Sequence, residues 1–298
     1  MNKGDSGIGA QKSGGQRTVA DCLATASRQL ATTLGLDSRA ARLEARVLAS
    51  CAWNVSHAWL IAHDTDSLAE TQAAQFEALL TRRLAGEPVA YLTGTREFYG
   101  RSFQVTPAVL IPRPDTELVV DLALARMPAD EALDVLDLGT GSGCIAITLA
   151  LERPLARITA VDRSSAALAI ARRNAEILDA PVEFLTSDWF AALAGRRFDL
   201  IVSNPPYIAA ADPHLARGDV RFEPSSALAA GLDGLDDLRH LIRGARTHLK
   251  SGGTLLLEHG YDQADAVQSL LRESGFEFIQ SWADLSGILR VSGGKLSE

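Results

Sequence analysis

From Thr18 to about Leu84 the apolar positions recur at helical spacing. Leu23, Leu30 and Leu34 fall on one stripe, and Leu43, Val47 and Leu48 on another. The pattern predicts a small bundle of four or so helices. Asp37-Ser38 and Asp66-Ser67 stand where N-caps belong, and Gly35 where a chain leaves a helix in the left-handed region. The next stretch breaks the period, because Pro88, Gly94, Gly100, Pro107, Pro112 and Pro114 exclude a long helix. Short β-prone runs at 97–99 and 102–105 flank Gly100 and predict a hairpin that joins two domains. Beyond Pro114 short apolar runs at 133–138, 157–161, 182–185, 200–203 and 254–258 alternate with helical stretches at 145–152, 165–178 and 235–249. Such alternation predicts a mostly parallel sheet covered on both faces. Two late β-prone runs, 276–281 and 287–291, lie too close for a helical crossover and are expected to pair antiparallel at one edge. The chain therefore divides into a disordered tail (1–17), a helical domain (18–85), a hairpin linker (86–112) and an α/β domain (113–298) with seven strands.

Composition narrows the chemistry. Of 298 residues 47% are hydrophobic and 22% charged, which excludes global disorder. The first residues are Gly/Ser-rich and polar, too poor in apolar surface to offset their ordering entropy. Lys+Arg 29 against Asp+Glu 37 gives a net charge of −8, unfavourable for general binding of nucleic acid or anionic membrane. Cys22, Cys51 and Cys144 form no CxxC pair, so neither a disulfide framework nor a zinc cluster is indicated. His57, His63, His214, His240, His248 and His259 show no metal-ligand spacing, and no metal is expected. No apolar stretch approaches the ~20 residues of a membrane span. The expectation is a soluble, cytoplasmic protein.

Two motifs carry chemistry. Asp137-Leu138-Gly139-Thr140-Gly141-Ser142-Gly143 follows the first strand of the α/β domain and opens a helix. Its GxGxG spacing differs from the GxGxxG of dinucleotide folds. Asp162 ends the second strand, where a carboxylate can accept both hydroxyls of a ribose, and Asp188-Trp189 follows the third, where an adenine ring can meet an acid and an aromatic edge. Ligand-type groups at three successive strand ends favour S-adenosylmethionine over a dinucleotide. Ser203-Asn204-Pro205-Pro206-Tyr207 follows the fourth strand. An amide or exocyclic amine is a poor nucleophile because its lone pair is delocalised. A site that accepts hydrogen bonds from both of its N–H groups localises that pair. Asn204 offers a side-chain carbonyl and Pro205 a backbone carbonyl, while both prolines fix φ and keep the acceptors rigid. Tyr207 can lay an aromatic face on a planar acceptor group and lie near a sulfonium.

With these motifs the chain resembles the protein glutamine methyltransferases of peptide chain release factors, the HemK family. The resemblance rests on Ile111-Pro112-Arg113-Pro114-Asp115-Thr116-Glu117, residues 137–143, Ser187-Asp188-Trp189, residues 204–207, Phe222-Glu223-Pro224 and Asp284-Leu285-Ser286-Gly287. It covers the C-terminal two-thirds by motif and the helical domain by size and position. It implies a Rossmann-like class I S-adenosylmethionine-dependent methyltransferase sheet, with S-adenosylhomocysteine as product. The acceptor it implies is the Gln side-chain amide in the Gly-Gly-Gln tip of class I release factors. Asn204 and Pro205 would hold that amide, with Pro206 and Tyr207 packed beside it and Phe98 walling the pocket or filling the hairpin core. Gly139, Thr140, Gly141, Ser142, Gly143, Asp162, Asp188, Trp189 and Asn204 would hold the cofactor. Arg113, Thr116 and Glu117 would frame its methionine end or cap a helix start.

The sequence leaves two rival readings: a nucleic-acid amino-group methyltransferase, which shares the NPPY motif but suits the −8 charge poorly, and a non-catalytic cofactor binder, which the intact Asn204 and glycines disfavour. His259 could approach the cleft or be structural. Cys144 reads as a helix-packing residue, and the carboxylates of 232–237 as caps. The segment 221–224 reads as a loop closing near the NPPY motif. The resemblance implies a class I release factor as partner, with no direct nucleic-acid or membrane contact expected, and the protein is expected to be a monomer. The tail itself carries Gly14-Gly15-Gln16. Without the docking contacts of a folded substrate this tripeptide is expected to stay unmodified. Mass spectrometry of the Gln16 peptide after incubation with cofactor alone checks this, and a substantial methylated fraction would refute it.

Overall fold

The computed structural model describes residues 17–297. The Gly14-Gly15-Gln16 tripeptide lies outside the described residues. Two compact units divide at Thr93/Gly94.

The first unit is helical: α1 (Val19–Leu34), α2 (Ser38–Trp53), α3 (His57–Ala62), α4 (Glu70–Leu84) and α5 (Val89–Thr93). Asp37 caps α2, its Oδ1 accepting from the Arg39 and Ala40 amides at 2.7 and 3.0 Å. Gly35 ends α1 at φ 68°, as its position predicts. Asp66-Ser67 is not a helix cap. The chain there pairs with the entrance to α1, Val19 N donating to Asp66 O and Leu68 N to Arg17 O, both at 3.0 Å. α4 starts later, at Glu70, behind Ala69. The apolar stripe of α2 also differs from expectation. Leu43 is 56% exposed, and the buried face is Ala41, Ala45, Leu48 and Ala49. Small side chains let the neighbouring helices approach, so alanine rather than leucine marks the interior here. The segment 86–93, expected as linker, contributes α5 with buried Ala90, Tyr91 and Leu92.

The second unit opens with the expected hairpin, β1 (Thr95–Phe98) and β2 (Arg101–Gln104), antiparallel. Its turn residues Tyr99 and Gly100 have φ of 51° and 71°, the primed-turn geometry that matches strand twist. Then follow α6 (Glu117–Leu124), β3 (Asp134–Leu138), α7 (Cys144–Glu152), β4 (Arg157–Asp162), α8 (Ser165–Leu178), β5 (Val182–Thr186), β6 (Phe198–Ser203), α9 (Asp236–His248), β7 (Leu249–Glu258), α10 (Ala264–Glu273), β8 (Phe276–Ala283) and β9 (Leu289–Leu296). The seven strands β3–β9 make one sheet in the order β5-β4-β3-β6-β7-β9-β8. The first five are parallel, and β9 runs antiparallel to both β7 and β8.

The strands bury both faces. In β3, Val135 joins a cluster with α6 and α7 (Val119, Val120, Ile145, Ile147), while Leu136 and Leu138 join one with α9 and α10 (Leu238, Leu241, Val267, Leu271). This period of two with apolar residues in both phases is why the runs read as continuous. α7 is buried along its length from Cys144 to Ala150, as a helix hydrophobic all round should be.

Candidate functional site

The parallel strands deliver their chemistry to one edge. Register sets Leu138 beside Ser203 and Ser203 beside Leu257, so residues 139, 204 and 258 emerge together. Strand order reverses between β3 and β6, the place where an open α/β sheet leaves a crevice. A cavity of about 260 Å³ lies there.

The glycine loop forms its floor. Gly139, Gly141 and Gly143 have φ of +72°, +55° and +83°. A Cβ on Gly139 would stand 3.2 Å from the Trp189 indole, so glycine admits that ring. A Cβ on Gly143 would stand 2.8 Å from Ile147 Cδ1 and 3.2 Å from Ala171 Cβ, where α7 packs on α8. The Thr140 hydroxyl turns inward and donates to Asp137 Oδ2 at 2.7 Å. Burial pushes the Asp137 carboxyl up to about 7, against the pull of that bond.

Asp162 stands at the end of β4 with Oδ2 accepting from Gly141 N (2.9 Å) and Oδ1 from Ser164 N (2.8 Å). Each oxygen keeps a lone pair for a ligand. Past β5, Ser187 Oγ donates to Trp189 O at 2.7 Å and accepts from Ala192 N at 3.0 Å. That turn holds Trp189 at φ 48° with its ring on the cavity wall beside exposed Asp188. Asp237 in the first turn of α9 also reaches the wall. Burial raises its carboxyl, while Arg163 and the Trp189 side chain lower it.

Asn204 and Pro206 line the cavity on the β6 side. Asn204 Nδ2 donates to Thr116 Oγ1 at 3.0 Å, and among the described residues nothing donates to its Oδ1. Pro205 is buried and is not among the residues that line the cavity. Tyr207 is half-buried outside the lining. Its hydroxyl donates to Glu258 Oε1 at 3.3 Å, and Gln263 Nε2 donates to its carbonyl at 3.0 Å. The loop after β6 returns to the site through Ile208 N, which donates to Leu228 O at 2.9 Å, bringing Pro224, Ser226 and Ala227 to the rim. Arg113 on the rim pairs with the buried carboxylate of Glu223 at 2.5 Å.

Other sequence candidates land elsewhere. Phe98 is 1% exposed and packs edge-on against Phe103, so it is hairpin core rather than pocket wall. Glu117 does not frame the cavity. Its carboxylate accepts from Tyr99 N at 2.8 Å and anchors the hairpin tip. His259 is buried between Gly260 O (2.9 Å) and Ser292 Oγ (2.8 Å), and burial lowers its pKa. Cys144 abuts the cavity, but burial pushes its thiol up to about 12, which removes thiolate reactivity. The 284–287 motif is the β8–β9 turn: Asp284 Oδ1 accepts from Ser286 N and Ile288 N, and Oδ2 from Arg290. Sequence reasoning missed the wall built by 107–110, Ala166 and Ala167. These residues are apolar or small and carry no periodic signal.

Comparison with known proteins agrees with this architecture. The family profile "Methyltransferase small domain" matches residues 117–219, and "PrmC N-terminal domain" matches 21–94. The chain is 54% identical to the release factor glutamine methyltransferase of Bordetella pertussis, over 86% of this chain and 95% of that protein. It is 47% identical to that of Escherichia coli K12, over 87% and 93%. Among solved structures, the Thermus thermophilus 16S rRNA N2 G1207 methyltransferase in complex with AdoMet and guanosine matches at TM-score 0.52 and 22% identity. That match covers 68% of this chain and 49% of the other. At that identity the likeness concerns the fold alone.

Proposed function

Since the chain belongs to the release factor glutamine methyltransferase family, we infer that its cavity binds S-adenosylmethionine and that Asn204 presents the glutamine to it. The protein methylates a release factor glutamine with S-adenosylmethionine as donor. The acceptor atom in this reading is the side-chain amide nitrogen within a Gly-Gly-Gln tip of a class I release factor. The cavity suits the donor by the chemistry of its lining. Asp162 can accept from vicinal ribose hydroxyls, Trp189 offers a flat aromatic face, Asp188 lies beside it, and the Gly139 backbone leaves room for close approach. Bound there, S-adenosylmethionine supplies an electrophilic methyl group on a sulfonium.

The chain's own contribution is alignment. Asn204 Oδ1 and the Pro205 carbonyl accept from the two amide N–H groups and fix the nitrogen's direction. Rigid prolines keep the acceptors from reorganising during reaction. No general base is required to begin, because the nitrogen's proton can leave during or after transfer. The free Oδ1 of Asn204 at the strand edge is the observation that carries this reading. Labelled cofactor incubated with release factor, with its Gln-substituted variant and with nucleic acid tests it. Label is expected only on the intact factor, and label on nucleic acid would favour the rival amino-group activity. In the same reading the helical unit grips the release factor and the enzyme works as a cytoplasmic monomer without direct nucleic-acid contact. Among the described residues no helix is long and apolar enough to cross a membrane.

Gly139→Ala tests the cavity floor. A left-handed backbone costs an L-residue about 1–2 kcal/mol, and the new methyl group must also move the Trp189 ring. The expected result is a Tm lower by roughly 2–4 °C per kcal/mol, with weaker cofactor binding. Thermal melts with and without S-adenosylmethionine check it, and an unchanged ligand-induced shift would separate Trp189 from the cofactor.

A further inference from the structure

From the cavity wall at Asn204 and Thr116 a buried polar chain runs back to Glu258, and alignment of the amide by Asn204 alone leaves it without a role. Thr116 ends the 3₁₀ turn Pro114–Thr116 and is 2% exposed, and Glu258, the last residue of β7, is 1% exposed. Asn204 Nδ2 donates to Thr116 Oγ1 at 3.0 Å. Glu258 accepts from the Tyr207 hydroxyl at 3.3 Å through Oε1, its Oε2 is buried with no hydrogen-bond partner among the described residues, and the nearby Thr116 hydroxyl favours its charged form.

A carboxamide fits its place in either of two flips, because its oxygen and its NH2 group have nearly the same shape. Only one flip is useful to an amide substrate. With Oδ1 toward the cavity Asn204 accepts an N–H. In the other flip it opposes the substrate's N–H with its own. The choice depends on one proton. A threonine hydroxyl has a single hydrogen. If that hydrogen points to Glu258, the Thr116 oxygen turns its lone pairs to Asn204 and accepts from Nδ2. If it points to Asn204, the carboxamide turns over. A carboxylate, acceptor-only, draws the Thr116 hydrogen to itself. We propose that Thr116 and Glu258 are positioning residues for methyl transfer, acting through the Asn204 carboxamide to keep its oxygen toward the substrate.

The groups around Glu258 act on its charge in both directions, and the role requires its carboxylate form. Burial pushes Glu258 up to about 7, the Thr116 and Tyr207 hydroxyls draw it down, Asp115 raises it and Arg290 lowers it. Arg290 is itself held 3.1 Å from Asp284 and 3.5 Å from Asp115, which ties the β8–β9 turn to the turn bearing Thr116. This inference rests on the function proposed above.

Steady-state and single-turnover methylation of a release factor by the full chain tests it. Thr116→Val keeps the shape and removes the hydroxyl, and Glu258→Gln keeps the size and removes the acceptor-only character. Each is expected to lower kcat about tenfold or more, with KM for both substrates within about twofold. Thr116→Ser, which restores the hydroxyl, is expected to recover to within about threefold of wild type. In an Asn204→Ala background neither substitution should lower the residual rate further, because the group they position is gone. Near-normal kcat in both single variants, or losses that multiply with Asn204→Ala, would overturn the positioning role. If Thr116→Val does not fold, the Ser variant and Glu258→Gln decide by the same criteria. A wild-type protein that methylates no release factor overturns the function, and this inference with it. An active wild type with indifferent variants overturns the inference alone.

Discussion

Asn204→Ala is expected to lower turnover about 100-fold or more while leaving S-adenosylmethionine affinity within about twofold. The asymmetry follows from where the side chain points. Its Nδ2 is committed to Thr116, and its Oδ1 is the only part without a partner among the described residues. Removing it deletes an acceptor that matters most when the amide nitrogen's lone pair is being localised toward the methyl group. The glycine loop, Asp162 and Trp189 do not depend on it. Asn204→Asp is informative beside alanine. It keeps an acceptor but adds a charge beside Thr116, next to the buried Glu258 whose carboxyl burial already pushes up to about 7, and a large loss in both variants would show that acceptance alone is insufficient. Calorimetry for the cofactor and a labelled-methyl assay on purified release factor separate binding from turnover. Near-normal turnover in the alanine variant would sink the amide-holding role.

Much of the frame was legible because its signals are local. Runs apolar in both phases marked the parallel strands, and helix α8 spans the predicted 165–178 behind the Ser164 cap, whose Oγ accepts from Ala167 N at 3.1 Å. The turn at Tyr99-Gly100 followed from a lone glycine between β-prone runs. Signals that depend on distant partners were not legible. Glu117 sits in a motif whose neighbours Arg113 and Thr116 face the cavity, yet its carboxylate goes to the hairpin tip, 18 residues earlier in the chain. For Phe98 the sequence left pocket wall and hairpin core open, and its ring packs against Phe103 in the core. Asp237 reads as one of the capping carboxylates of 232–237, but α9 starts behind Leu235 without a side-chain cap, and Asp237 stands in its first turn where the fold also brings it to the cavity. The wall at 107–110 lies between prolines, where no period exists to read. Alanines at 41, 45 and 49 carried the helical interface that leucine spacing assigned partly to Leu43.

Asp162→Ala is expected to weaken S-adenosylmethionine binding roughly ten- to 150-fold, the loss of one charge-assisted hydrogen bond of about 1.5–3 kcal/mol. The structure gives the carboxylate a second task. Its two oxygens already accept from Gly141 N and Ser164 N, so it closes the glycine loop onto the start of α8 before any ligand arrives. Alanine leaves both amides to water and loosens the floor of the cavity. Asparagine tests the two tasks against each other. It has one acceptor oxygen where two are in use, and its NH2 group must face one of the backbone donors, so Asp162→Asn should approach alanine in affinity despite its matching shape. Titration calorimetry gives the affinities, and melting of the unliganded proteins gives the loop's share. A fall in both quantities assigns Asp162 to loop and ribose together. If melting temperature falls while affinity holds, the carboxylate serves the loop alone, and the ribose hydroxyls must find their acceptor elsewhere on the wall, with Asp188 the next carboxylate along the edge.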